Sequence, residues 1–216
     1  LSSVYSKCVM LPTIHPNFSL FLTNFNKSPK KAIDALINEN YLPRDPVGVA
    51  YFLNTCNDLD KTAIGEYVGE RDDFAIDVLR QWIKMMDFEE VSFVKALRRM
   101  LCRFRLPGES QKIERITETF AEVYYQFAEE GLFAHPDTIF VLSYSTIMLN
   151  TDAHNPQVKK KMTLEQFITN NRGINQGRDL PVEFLQSIYE DIHAQCLRMD
   201  GGDEPFPNAV RRGYLE

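Results

Sequence analysis

Helix-start signals recur along this 216-residue chain, and the alternation that marks strands is nearly absent. Ser28–Pro29 and Asp45–Pro46 each place a capping residue before a proline. Such a pair serves the first orphan amides of a helix and presets φ at its first position. Apolar residues at helical spacing follow each: Ile33, Leu36 and Ile37, then Val47, Ala50 and Tyr51. Asp60 precedes Ile64, Tyr67 and Val68, and Asp72 or Asp73 precedes Phe74, Val78, Leu79, Trp82 and Ile83. Phe93, Leu97, Met100, Leu101 and Phe104 mark the next face. After Pro107–Gly108 a long stripe runs through Ile113, Ile116, Phe120, Val123, Tyr124 and Phe127 to Gly131. Pro136 opens a helix whose run Ile139 to Leu149 is apolar on nearly every side, which places it at the centre of the fold, and Asn155–Pro156 ends it. Thr163 and Gln166 have capping-box spacing. Gly173, Gly177 and Asp179 form a loop, and Pro181 opens a last helix carrying Phe184, Leu185, Ile188, Tyr189 and Ile192. No segment repeats at a fixed period. The expectation is about nine or ten helices in an all-α orthogonal or superhelical array.

Composition narrows the function classes. With 24 basic and 30 acidic side chains the net charge is −6, which speaks against nucleic-acid binding. The basic runs Lys159–Lys161 and Arg98, Arg99, Arg103 and Arg105 read as solvated faces. Cys8, Cys56, Cys102 and Cys196 match no zinc or disulfide spacing and read as free thiols. No run reaches the roughly 20 apolar residues of a membrane span, and Leu1–Leu11 lacks the flanks of a signal peptide.

Two stretches carry candidate chemistry. In FRLPGESQKIERI, from Phe104 to Ile116, the Pro107–Gly108 break presents Glu109 on a tight turn. Pro107 restricts that turn, and Gly108 permits close backbone approach. The plain alternative is an acid complementing the positive end of a helix dipole in the first turn. In SYSTIMLNTDAHNPQV, from Ser143 to Val158, Asp152, His154 and Asn155 form a compact polar set. No HExxH is present and the other histidines are isolated, so no metal is expected. Ser145 lacks nucleophile-elbow glycines. The plain alternative here is a helix end satisfied by its own side chains. Asp58–Glu70 has Ala63 where a calcium loop needs Gly, and no P-loop pattern occurs.

The two stretches together resemble the two signatures of the Sec7 domain, usually FRLPGEAQKI and a segment ending LNTDLHNP. FNKSPKKAIDALI at Phe25, LDKTAIGEYVGERDDF at Leu59 and NNRGINQGRDLP at Asn170 agree as well. The resemblance spans roughly residues 25 to 197. It implies an elongated, right-handed superhelical array of about ten helices that exchanges guanine nucleotide on Arf-family small GTPases. No covalent chemistry and no resident cofactor are implied; GDP and Mg²⁺ belong to the GTPase. By the resemblance, Glu109 is a glutamic finger and Asn155 orients it or contacts the switch backbone. Phe140, Tyr144, Ser145, Met148, Asp152 and His154 are groove candidates for the GTPase switches. A pure core role for the apolar ones stays open.

Ser110 and Ala153 depart from the usual Ala and Leu. Ser110 offers a capping hydroxyl, and Ala153 removes bulk beside His154. Tyr144, Ser145, Asp152 and Met162 resemble the brefeldin-sensitive branch. The expected layout is an N-terminal extension over 1–24, the Sec7 domain over 25–199, and a Gly-, Pro- and acid-rich linker over 200–210. Residues 211–216, RRGYLE, are similar to the first strand of a pleckstrin-homology domain, in a cytohesin-like arrangement. That implies phosphoinositide contact and a cytoplasmic protein recruited to Golgi, endosome or plasma membrane. The rival readings are a helical adaptor that binds an Arf-class GTPase without emptying it, and a hydrolase using Glu109 with His154.

Overall fold

Helix starts follow the capping chemistry closely. A computed structural model of the protein describes Leu11 and residues 15–197, and contains ten helices among them. They are α1 (Phe18–Lys27), α2 (Pro29–Asn38), α3 (Pro46–Thr55), α4 (Lys61–Val68) and α5 (Asp73–Lys84). They continue as α6 (Phe93–Leu101), α7 (Ser110–Tyr124), α8 (Pro136–His154), α9 (Leu164–Asn170) and α10 (Val182–Ala194). Asp45, Asp60 and Asp72 each accept a hydrogen bond from the third helical amide, those of Gly48, Ala63 and Ala75, at 2.9, 2.9 and 3.1 Å. Thr163 and Gln166 form both bonds of the capping box. Ser28 holds the N-cap position of α2 without a side-chain bond, so there the proline at the first helical position marks the start.

Two boundaries differ from the sequence reading. Helix α1 lies mostly within the stretch assigned to an extension. It starts without a side-chain cap or a proline, and it docks through Phe21 and Phe25. Helix α7 stops at Tyr124, because Phe127 and Ala128 both donate to the Tyr124 carbonyl and tighten the chain into a turn. Phe127 therefore leaves the buried stripe, 38% exposed against Phe88. The linker and strand expected over 200–216 lie outside the described residues, as does Cys8.

The core runs through the array. Helix α3 packs on α5, α5 on α7, and α7 on α8; α9 and α10 close against α8. Trp82 meets Phe104 edge-on at 5.7 Å, and Phe88 packs against Phe120 and Tyr124. Helix α8 is central, as expected. Ile139, Leu142, Ile147 and Leu149 are buried, and so are Ser143 and Thr146. Those two hydroxyls donate to the carbonyls of Ile139 and Leu142 at 2.7 Å, which lets polar residues sit in the core unpunished. Cys56, Cys102 and Cys196 are free thiols. Among the described residues no helix is long and apolar enough to cross a membrane.

Candidate functional site

The turn between α6 and α7 is braced from behind by α4. The Arg105 amide donates to the Lys61 carbonyl at 3.0 Å, and the Lys61 ammonium returns a bond to the Cys102 carbonyl at 2.9 Å. Gly65 makes the close approach possible, since a Cβ there would sit 2.0 Å from the Arg105 carbonyl oxygen. One turn later, a Cβ on Gly69 would meet the Lys112 side chain at 2.9 Å, and the Gly69 carbonyl accepts from Arg115. Pro107 is buried. Gly108 is exposed and has nothing within 4 Å of where its Cβ would be, so within the chain the close backbone approach is at Gly65.

Glu109 is the N-cap of α7, one position before the first turn in which the plain alternative placed it, with φ −88° and ψ 121°. Its carbonyl accepts from the Lys112 and Ile113 amides, but its carboxylate makes no capping bond. Ser110 is the first helical residue and does not cap. The Glu109 side chain is 70% exposed, and its carboxylate lies 3.8 Å from the Lys112 ammonium. Lys112 is nearly buried and is held mainly by Glu66 of α4, at 2.5 Å, and by Glu70 just beyond that helix, at 3.5 Å. Burial by itself would lower the pKa of Lys112. The Glu66 hydrogen bond and charge, joined by Glu109 and Glu70, outweigh it and hold the ammonium above the ordinary lysine value.

Helix α8 turns one narrow strip away from the core. Phe140, Tyr144, Ser145, Met148 and Asp152 are all partly buried and share one face at spacings of three and four, with Phe140 and Tyr144 edge-on at 5.2 Å. Val141 lies on the same strip, 41% exposed, and sequence reasoning missed it. An apolar helix all round gives no clue to which side faces out, although Val141 directly follows Phe140. Asp152 accepts from the Met162 amide at 2.6 Å, and Tyr189 donates to the Met162 carbonyl at 2.9 Å. Two of the four inhibitor-sensitivity candidates are thus joined directly.

The end of α8 is tied locally. Asn155 is its C-cap; its Oδ1 accepts from the Gln157 amide at 2.9 Å, while its Nδ2 makes no hydrogen bond among the described residues. Lys161 donates to the carbonyls of Asp152 and Asn155 at 2.6 and 2.7 Å, placing a cation at the negative helix end. His154 is exposed, and its Nε2 lies 2.7 Å from the Ile192 carbonyl, so the ring engages α10. That removes the histidine from the hydrolase reading. Among the described residues no group of three His, Cys, Asp or Glu is placed to hold a metal ion. Lys61, Gly65, Glu66, Glu70 and Lys112 complete the support of Glu109. The Gly65-x-x-x-Gly69 spacing was the available signal for them.

This arrangement has known counterparts. A Sec7 domain family model matches residues 14–197, so α1 falls within the matched region. Cytohesin-3 of Rattus norvegicus is 47% identical over 196 residues, covering 88% of this chain and 49% of that protein. The chain spans from a tenth to about half the length of the curated relatives it matches. The crystal structure of the Sec7p catalytic domain superposes with a TM-score of 0.76 at 44% identity, covering 83% of this chain and 95% of that one. A structure of ARF1-GDP bound to a Sec7 domain complexed with brefeldin A gives a TM-score of 0.73 at 38% identity, covering 83% and 91%. The family match over nearly all of the described residues, with both signature segments in place, makes the chain a member of the Sec7-domain family.

Proposed function

We propose that this chain is a guanine-nucleotide exchange factor that promotes GDP release from an Arf-class GTPase, with Glu109 as its glutamic finger. The observation that carries the reading is a carboxylate on a braced turn, exposed and making no capping bond to its own helix. The partner class follows from a solved relative, a Sec7 domain bound to ARF1-GDP. Bound GDP is held by Mg²⁺ and by a P-loop lysine on its phosphates. Inserting Glu109 brings a negative charge toward the β-phosphate. Like charges about 4 Å apart repel by roughly 4 kcal/mol at an effective dielectric of 20. Every 1.4 kcal/mol or so is tenfold in nucleotide affinity. The carboxylate also takes over the lysine, which stabilises the empty GTPase. Nucleotide leaves without any covalent step.

The exposed strip of α8 receives the GTPase switches. Phe140, Val141, Tyr144 and Met148 supply adaptable apolar contact, and the unspent Nδ2 of Asn155 is available to a backbone carbonyl. Phosphoinositide contact through a downstream pleckstrin-homology domain, and recruitment to membranes for vesicle traffic, belong to the same proposal. Brefeldin sensitivity through Tyr144, Ser145, Asp152 and Met162 is tested by asking whether the drug traps a GDP-bound complex with this chain. Free release in its presence contradicts that part. The test of the main reading pairs GTPase binding with release of a fluorescent GDP analogue. Binding accompanied by fast release supports exchange, whereas binding without release identifies an adaptor.

A further inference from the structure

Three carboxylates converge on one ammonium beside the finger, and they do not share it equally. Lys112 Nζ is 2.5 Å from Glu66, 3.5 Å from Glu70 and 3.8 Å from Glu109. The Lys112 side chain is 14% exposed, and the Glu109 side chain is the most open of the four. Lys112 lies three residues after Glu109 on the same helix, a spacing at which an ion pair closes readily. Nothing in the backbone prevents that closure. What opposes it is the acidic pair of Glu66 on α4 and Glu70 just after it, in a segment fixed against this turn by Gly65 and Gly69.

We infer that Lys112 is a positioning residue for Glu109, and that Glu66 and Glu70 hold its ammonium back so that the finger carboxylate stays only loosely paired and extended. With the acidic pair neutralised, Lys112 closes on Glu109, masks its charge and draws it toward α7. With Lys112 removed as well, no other cation among the described residues is within ion-pair distance of the finger. The role rests on the exchange reading above.

The experiment measures release of a fluorescent GDP analogue from an Arf-class GTPase across a range of exchange-factor concentrations. Combining Glu66→Gln with Glu70→Gln is expected to lower kcat about tenfold, the factor corresponding to about 1.4 kcal/mol, with KM for the GTPase unchanged because α8 is untouched. Adding Lys112→Met to that pair is expected to restore most of the rate, an outcome that simple loss of packing cannot produce. Lys112→Met alone must release GDP faster than the double glutamine variant, which keeps the inference testable if the triple variant does not fold. A double variant at the wild-type rate, or Lys112→Met at or below the double variant, overturns the inference and leaves exchange intact. A wild-type chain that fails to accelerate release overturns the exchange reading and this inference with it.

Discussion

Helices α4 and α7 touch, and each begins with an acid at the N-cap, yet the two acids do opposite things. Asp60 folds its carboxylate onto the third amide of α4 at 2.9 Å. Glu109 leaves the equivalent Lys112 amide to its own backbone carbonyl and extends its carboxylate into solvent. Aspartate is among the residues preferred at N-caps because its oxygen reaches the second or third amide. Glutamate carries one more methylene and is poorly suited to that bond. The difference teaches that the longer acid at this position gives up a modest gain in helix stability and keeps an exposed charge at the end of a fixed turn. Asp45 and Asp72 repeat the Asp60 pattern, which makes Glu109 the exception.

The strongest way to break this contrast is to invert the charge. Glu109→Lys is expected to lower GDP release by at least about 100-fold, since a repulsion of roughly 4 kcal/mol at the phosphates becomes attraction. The purified protein should melt near the wild-type temperature, because the carboxylate makes no capping bond. A smaller effect follows from disturbing the brace. In Gly65→Ala the new Cβ must displace the Arg105 carbonyl, at a cost of about 1–3 kcal/mol in stability. Denaturant unfolding should show that loss, and kinetics should show reduced kcat as the finger turn shifts. Mildest in stability is a reciprocal exchange of the two acids. Glu109→Asp should gain a cap, raising stability by about 0.5–1 kcal/mol while slowing exchange. Asp60→Glu should lose about the same stability with less effect on exchange. Thermal melts and release assays on the pair check it. If Glu109→Asp were both less stable and fully active, the contrast between the two caps would be wrong.

The sequence was most informative where a residue acts locally. Asp45, Asp60, Asp72, the Thr163–Gln166 box and the prolines at Pro29, Pro46 and Pro136 mark helix starts, because capping depends on residues only two or three positions apart. Helix α1 escaped because it starts with no such bond. Glu109 stood out through the proline–glycine break and the family signature. Its support did not, since Lys61, Gly65, Glu66 and Glu70 come together with it only when α4 lies behind the turn. Val141 was hidden for the opposite reason. On a helix apolar all round, only the packing of α7, α9 and α10 decides which strip is left bare.

The central claim is that the exposed carboxylate of Glu109 drives nucleotide out. The most direct measurement is the rate of fluorescent GDP release from a purified Arf-class GTPase at saturating exchange factor, with the wild-type chain and with Glu109→Lys. Fast release by wild type, and release at the spontaneous rate with a GTPase-binding Glu109→Lys variant, is the predicted result. Equal acceleration by both proteins would contradict the account.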